Sequence, residues 1–133
     1  MEFDREIFKY PAVEYIPLYP YTLGLEPNWA SGRPDQVTLY VLQDQAAFAE
    51  ELARLGITYS EPVDFSRYLV LITLGYEITG AWYRGYLTIL LGNPLPGGYH
   101  IARIPRWYFY KDRIHFALYS DEGKKLTWTN IGL

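Results

Sequence analysis

The sequence predicts an α+β fold, in which a mostly antiparallel, curled or barrel-like β-sheet carries one packed α-helix. Three observations lead to this prediction. Aromatic residues make up 18% of the chain and include 14 tyrosines, which suit half-buried strands. Strand-like runs recur along the sequence, whereas a single segment has the pattern of an amphipathic helix. The length of 133 residues fits a single domain spanning 1–133.

Residues 1–34 form a Pro-rich segment that we expect to be irregular. Five prolines lie in this segment, and each removes a backbone donor and favours extended geometry before it. The aromatic stretch from Tyr15 to Tyr21 either covers a sheet edge as an extended strap or stays mobile. The β-rich core of the domain is expected over 35–133.

The segment 45–55 is the predicted helix. Asp44 suits the N-cap position, and Gly56 marks the end of the helical pattern. Phe48 and Leu52 lie one turn apart and give the helix an apolar face. We expect this face to pack on the sheet.

The remaining runs are predicted to be strands because β-branched, aromatic and other apolar residues dominate them and Gly or Pro bounds them. The run 68–74 is nearly all apolar, which is typical of a central strand buried on both faces. Gly75 is expected to end it, and Gly85 to bulge the next strand. Neighbours in sequence are expected to pair as a meander. The expected strands are 37–42, 68–74, 81–91, 99–104 and 126–131, with a loop over 93–98.

The segment from Trp107 to Tyr119 is predicted to be a hairpin that turns at Lys111 and Asp112. Alternation sorts its side chains into an apolar face, which we assign to the core, and an amphipathic outer face. The core face holds Trp107, Phe109, Ile114, Phe116 and Leu118, and the outer face holds Tyr108, Tyr110, Arg113, His115 and Tyr119.

The outer face of this hairpin is the predicted binding surface. Tyrosine and arginine are enriched at the centres of protein contacts, where they combine apolar area with hydrogen bonding. The alternative is that the N-terminal segment or the helix covers this face. The candidate binding residues are Tyr108, Tyr110, Arg113, His115 and Tyr119.

Composition and motifs argue against several kinds of chemistry. The chain has no cysteine, so it has no disulfide, thiol nucleophile or thiolate metal site. It contains no G-x-S-x-G elbow, phosphate-binding glycine loop or HExxH motif. His100 and His115 would need a third ligand to hold a metal. We therefore expect no cofactor, no metal and no catalytic residue, with an unrecognised carboxylate hydrolase as the less favoured reading.

Charge and hydropathy suggest the location and the partners. The net charge is −3, and no region concentrates Lys and Arg as a nucleic-acid partner would require. No apolar run approaches the roughly 20 residues that span a bilayer. The N-terminus does not have the pattern of a signal peptide. We expect a cytoplasmic protein that binds neither nucleic acid nor membranes, unless the chain is a secreted form after signal removal.

A family resemblance lies between residues 37 and 91. The segment 63–67, with the sequence VDFSR, precedes the apolar strand, and Gly75 and then the pair Thr79-Gly80 follow it. This order resembles the PrcB-like domain family, named for an accessory subunit of a bacterial protease complex. In that family a "vDFsk" segment leads into an apolar strand, a glycine and a P-T-G-G-Y-like turn. Two departures are Ile78 for the family's Pro and Ala81-Trp82-Tyr83 for its second Gly and Tyr.

The resemblance implies a small α+β domain that associates with a partner protein rather than catalysing a reaction. Asp64 in the VDFSR segment is assigned a structural role, because an acid at this point of a turn can cap loop amides. Two functions remain open. One is a binding or assembly module that presents its aromatic face to a protein partner or to itself as a homo-oligomer. The other is a binder of a carbohydrate or apolar metabolite, with an aromatic-lined pocket in the barrel.

Overall fold

The structure is a computed structural model that describes residues 14–15, 19–21, 38–57, 59, 62–84, 87–109 and 112–133. Within these residues the chain forms a seven-stranded sheet, one α-helix and one 3₁₀ turn. In chain order the elements are β1 Glu14–Tyr15, β2 Tyr19–Tyr21, β3 Thr38–Leu42, α1 Gln45–Leu55, β4 Tyr68–Arg84, β5 Leu87–Pro105, the 3₁₀ turn Arg106–Tyr108, β6 Arg113–Ser120 and β7 Lys125–Gly132.

The long strands β4 and β5 form the centre of the sheet and pair antiparallel along their whole length. On the free side of β4 lie β3 and β1, both antiparallel to it. On the free side of β5 lie β2, which is antiparallel, and β6, which is parallel. β7 pairs antiparallel with β6. The predicted meander is therefore wrong at β6, because this strand joins β5 in parallel through a crossover connection.

The sheet curls into a nearly closed barrel. Along the path β3-β4-β5-β6-β7, curvature brings the first and last strands into contact. At this seam the Gln43 Nε2 amide donates a hydrogen bond to the carbonyl of Gly132 over 2.7 Å. The prediction of a mostly antiparallel, barrel-like sheet with one helix is confirmed.

β4 and β5 bend where their register slips beside Gly75. Leu74 lies opposite Tyr99, but Tyr76 lies opposite Pro94, so four residues of β5 face a single residue of β4. Gly75 has a φ of 84°, a conformation that strains any residue with a Cβ. The predicted strand end at this glycine and the predicted loop over 93–98 are both replaced by an irregular bulge inside two continuous strands.

A second correction concerns the predicted strand 81–91. β4 ends at Arg84 and β5 begins at Leu87, and these two residues are paired as the start of a hairpin. Gly85 lies outside the described residues. The apolar pattern continues across the connection because both strands contribute to the barrel interior, which explains why the sequence alone suggested one strand.

The apolar side chains form two main layers on the two faces of the sheet. Inward-facing residues fill the barrel, and α1 covers the outer face of β3, β4 and β5. The interior cluster includes Leu39, Leu69, Leu71, Ala81, Tyr83, Leu90, Ile104, Phe109, Ile114, Phe116 and Leu118. The helix-side cluster includes Leu42, Phe48, Leu52, Val70, Ile72, Leu74 and Ile101.

The helix α1 has the predicted bounds, caps and buried face. The Asp44 carboxylate accepts a hydrogen bond from the backbone N–H of Ala47 over 2.8 Å. Gly56 ends the helix with a φ of 72°, and its N–H donates to backbone carbonyls of the last turn. Phe48 and Leu52 are buried against the sheet. Local signals were sufficient here because each cap and each apolar position belongs to the helix itself.

The predicted hairpin from Trp107 to Tyr119 is wrong. Residues 106–108 form a 3₁₀ turn, and β6 pairs with β5 and β7 instead of folding back on them. Arg106 fixes this turn through long-range bonds, since its guanidinium donates to the carbonyls of Phe65 at 2.9 Å and Gln43 at 2.6 Å. Trp107, assigned to the core by alternation, is 73% exposed.

Most of the predicted irregular segment 1–34 lies outside the described residues. Within it, β1 pairs with the second half of β4 and β2 with the second half of β5. These short strands extend two sheet edges, and the remaining residues of the predicted strap from Tyr15 to Tyr21 lie outside the described residues.

Candidate functional site

The outer face of β6 and β7 is the candidate site. Ile114, Phe116 and Leu118 point into the barrel, as predicted, which fixes the alternate residues of β6 on the outside. Cross-strand pairing then places His115 beside Asn130 and Ala117 beside Trp128 on this outer side. We call this surface the Trp128 face; it consists of Arg113, His115, Tyr119, Lys125, Trp128 and Asn130.

Trp128 is the central residue of this face and is 55% exposed. The imidazole of His115 stacks on its indole, with ring centroids 5.4 Å apart and planes inclined by 29°. Lys125 Nζ lies 5.6 Å from the centroid of the indole, within the range of a cation–π contact. The large ring is thus held in one orientation by two neighbours although most of it faces solvent.

A short chain of hydrogen bonds orients His115. Its Nδ1 lies 2.7 Å from Asn130 Oδ1. Because an amide oxygen only accepts, Nδ1 is the donor in this contact. Lys125 Nζ lies 3.5 Å from Nε2. The same two side chains that contact the indole are therefore linked to each other and to Asn130.

The Trp128 face is basic on a protein that is acidic. The chain has a net charge of −3, yet the outward positions of β6 and β7 carry Arg113 and Lys125 and no carboxylate. The nearest acids in the sequence lie before β6 and in the turn between the strands rather than on the face. A carboxylate of a binding partner would find no competing anion among these outward residues.

The structure brings three of the five predicted binding residues onto this face. Arg113 is exposed and His115 is half-buried. Tyr119 is buried and packs with Ile89 and Ala117 in a small cluster on the outer side of β5 and β6.

The other two predicted residues do not join them. Tyr108 lies in the 3₁₀ turn, half-buried, where its ring stacks on Trp107 at 4.0 Å and meets Tyr83 edge-on at 6.4 Å. The predicted hairpin that placed Tyr108 and His115 on one face is wrong, because β6 pairs with β5 and β7 instead. Tyr110 lies outside the described residues.

Trp128, Lys125 and Asn130 were missed by the sequence reasoning. The signal was present in the last predicted strand, where Trp128 and Asn130 alternate with Thr129 and Ile131. A tryptophan on the polar side of an alternating strand is unusual, since its area normally favours the core side. The predicted hairpin placed the binding surface on residues 108–119 and therefore did not include β7.

The second histidine is far from the site in the fold. His100 lies opposite Thr73 on β4, whereas His115 lies opposite Leu87 at the other end of β5. The backbone N–H of Ile78 donates to His100 Nδ1 over 3.0 Å. Burial lowers the pKa of His100, partly offset by the charge of Glu77. Across the described part of the chain, no group of three His, Cys, Asp or Glu residues could hold a metal ion.

Asp64 has the structural role expected of it. Its Oδ1 accepts hydrogen bonds from the backbone N–H of Ser66 at 3.0 Å and from the Ser66 hydroxyl at 2.5 Å. The hydroxyl bond, together with the other contacts, holds the pKa of this carboxyl below its ordinary value. Its backbone carbonyl accepts from the N–H groups of Arg67 and Tyr68. Asp64 thus accepts the hydrogen bonds that close the turn before β4, through both its side chain and its backbone carbonyl.

Comparison with protein-family models, with curated proteins and with solved structures gives no match. The resemblance to PrcB-like domains therefore stays a prediction from the sequence. No helix among the described residues is both long enough and apolar enough to cross a membrane.

Proposed function

We propose that the protein is a non-enzymatic binding or assembly module that contacts another protein through the Trp128 face. The observation that carries this proposal is the exposed indole of Trp128, held in place by His115 and Lys125. Tryptophan, tyrosine and arginine dominate the residues that anchor protein interfaces. An aromatic side chain already fixed in the free protein loses little conformational entropy on binding.

The nature of the barrel interior favours a surface contact over a ligand pocket. The rings of Tyr83 and Phe109 meet edge-on at 5.1 Å, and those of Phe109 and Phe116 lie 5.5 Å apart. These rings belong to the interior cluster that fills the barrel. A carbohydrate or apolar metabolite would have to displace packed core side chains, whereas a partner protein could dock on the Trp128 face without rearrangement.

The sequence supports two further parts of the proposal. The chain is free of cysteine, which is compatible with a reducing compartment, and we propose a cytoplasmic location. Membership of the PrcB-like family, which we also propose from the VDFSR segment and the glycines after β4, would imply association with a partner protein. The same module needs no cofactor and no metal.

The test compares Trp128→Thr with Trp107→Thr. Both tryptophans are exposed, but Trp107 lies on the 3₁₀ turn and not on the Trp128 face. Tagged wild type and both variants are used to capture proteins from extracts of the source cells, and the native mass of each purified protein is measured. Thermal melts confirm that the variants are folded.

We expect Trp128→Thr to lose association by about tenfold or more, because removing an anchor aromatic costs on the order of 1–4 kcal/mol of binding. Trp107→Thr should keep its partners. If Trp128→Thr retains both the native mass and every captured protein of the wild type, the Trp128 face is not a contact surface.

A further inference from the structure

The cations of the Trp128 face converge on His115. Lys125 begins β7 opposite Tyr119, yet its Nζ lies 3.5 Å from the Nε2 of His115, two outward positions farther along β6. The side chain of Lys125 therefore runs along the face, past the indole of Trp128. Arg113 is the adjacent outward residue of β6 on the far side of His115, roughly 7 Å from it at the rise of a strand. Both cationic residues of the face thus lie close to one imidazole.

Neither of these cations has an anionic partner among the described residues. Arg113 and Lys125 form no ion pair with a described carboxylate. The contacts of Lys125 are with the imidazole and the indole beside it, neither of which is an anion. On the helix, by contrast, Arg54 is paired with Glu51 over 2.6 Å. The positive charge of the Trp128 face is therefore not neutralised within the described part of the chain, and an anion of a partner can neutralise it.

Acidic residues at both ends of the face limit the length of the anion that it accepts. Asp112 precedes β6, Asp121 and Glu122 lie in the turn that joins β6 to β7, and all three are exposed. A long chain of phosphates crossing the face would meet these acids and be repelled, and a nucleic-acid site requires a clustered basic stripe. A segment with one or two carboxylates fits between the acidic ends. The charge pattern therefore favours a short acidic segment of a protein over nucleic acid.

The indole adds a second requirement for the partner. Trp128 is 55% exposed, and its ring is held in place by His115 and Lys125. An apolar side chain that covers this ring removes apolar area from water, which favours association. The guanidinium of Arg113 offers a planar fork that can bind a carboxylate through two parallel hydrogen bonds. Together these features require an apolar residue that is flanked by acidic ones.

We propose that the partner of the Trp128 face is an acidic protein segment. An apolar side chain of this segment covers the indole of Trp128, and the carboxylates that flank it pair with Arg113 and Lys125. This inference rests on the proposed function and deepens it, because it names the chemistry of the protein that the face contacts. The net charge of −3 repels acidic segments from the protein as a whole, so the local positive charge gives this face its specificity.

The probe that tests this is a blocked peptide in which a leucine lies between two glutamates, and its control has glutamine in place of each glutamate. NMR titrations follow the indole N–H signal of Trp128, which is identified by its loss in Trp128→Thr, at about 0.05 M and about 0.5 M salt. At the lower salt we expect the glutamate peptide to bind about fivefold more tightly or better, since each exposed charge pair contributes up to a few-fold in affinity. The preference should nearly vanish at the higher salt, where screening is strong.

Charge variants locate the contact on the protein. Arg113→Gln and Lys125→Gln should each lower the preference for the glutamate peptide by about twofold or more, and the double variant should abolish it. Lys124→Gln is the matched control and should keep the preference, since it removes the same charge from an exposed residue that precedes β7 and lies outside the face. The salt series on the wild type does not require any variant to fold.

Equal affinity for the two peptides, or no binding of either, overturns the inference. So does a preference that Lys124→Gln reduces as much as Lys125→Gln, and so does tighter binding of a short oligothymidine, because the partner would then be a nucleic acid. If the peptides are not distinguished while Trp128→Thr loses captured proteins, the proposed function stands and the acidic segment is the wrong partner. If the peptides are not distinguished and Trp128→Thr keeps its native mass and every captured protein, both proposals are wrong.

Discussion

The outer surface of the sheet has two contrasting regions, one beneath α1 and one on β6 and β7. Beneath the helix, β4 contributes Val70, Ile72 and Leu74, all buried against α1. On β7 the corresponding outward residues are Lys125, Trp128 and Asn130, which remain half-buried or exposed. Both regions belong to one sheet with one barrel core, so the difference in burial between them arises from the outward side chains.

The comparison shows how the two faces of a strand divide their roles. A strand that is apolar on both faces must be covered on both, and β4 is covered by the barrel interior and by the helix. A strand whose apolar side chains alternate with polar ones needs a packing layer on its apolar face only, and for β7 the barrel interior is that layer. The outward face of β7 consequently remains half-buried or exposed.

The largest expected effect is on the helix-covered region. Leu52→Ala should lower the free energy of unfolding by about 2–5 kcal/mol, because it removes buried methyl groups and leaves a cavity between α1 and the sheet. Denaturant melts measure this loss. Glu50→Ala on the exposed side of the same helix is the control and should change stability by about 0.5 kcal/mol or less. A loss below about 1 kcal/mol for Leu52→Ala would mean that the helix face is not core.

The sequence predicted the helix-covered region better than the β6–β7 region for a physical reason. The caps of α1 and the apolar run of β4 are signals within a few residues of each other. The position of β6 depends on a parallel pair with β5, whose residues lie far away in the chain. The turn at Arg106 depends on carbonyls of Gln43 and Phe65. No local pattern carries such long-range information.

The candidate site was predicted in part for the same reason. Alternation within β6 correctly set Arg113 and His115 on the outer side, because it needs only the strand itself. The neighbours of that face were assigned through a hairpin that does not exist, so Tyr108 was included and Trp128 was missed. A residue's face can be predicted from its own strand, but its cross-strand neighbours require the topology.

The second prediction concerns His100, which is buried on β5 between the helix-facing residues Tyr99 and Ile101 and has a lowered pKa because of that burial. Below the unfolded pKa of about 6.5, the unfolded chain binds a proton at this residue that the folded chain does not bind. Stability is therefore complete above this pH and falls as the pH drops toward the folded pKa, by up to about 1.4 kcal/mol per pH unit. Glu77 opposes the shift but does not reverse it.

Denaturant melts at several pH values between about 7.5 and 5 measure this effect in wild type and in His100→Gln. The carboxylates titrate equally in both proteins, so the difference between the two curves isolates His100. Protonation would also place a hydrogen on Nδ1, which accepts the N–H of Ile78, and so would break that bond. Parallel pH curves for the two proteins would contradict the prediction.

The third prediction tests the cap of the covering helix. Asp44→Ala removes the acceptor of the Ala47 N–H and should cost about 1 kcal/mol. Asp44→Ser retains an acceptor at the same position and should cost only a few tenths of a kcal/mol. Thermal or denaturant melts of the two variants measure the difference. Equal losses for both variants would show that the cap bond does not stabilise α1.

The smallest expected effect is on the uncovered region. Trp128→Thr keeps a residue with high strand propensity and removes a ring whose stacking and cation–π contacts are with the outward side chains His115 and Lys125. Its cost to the free energy of unfolding of the monomer should be about 0.5 kcal/mol or less. Melts at low protein concentration measure this value.

The concentration dependence of the same melts sharpens the comparison between the two regions. Self-association of folded chains through the Trp128 face, which is one form of the proposed assembly, would raise the midpoint of the wild type as concentration increases. Trp128→Thr should reduce this dependence while leaving the low-concentration stability almost unchanged. Leu52→Ala should lower the low-concentration stability and leave the concentration dependence almost unchanged. If Trp128→Thr instead costs about 2 kcal/mol or more at low concentration, as a core truncation does, Trp128 stabilises the monomer. The outward face of β7 would then be a packing surface like the one beneath α1.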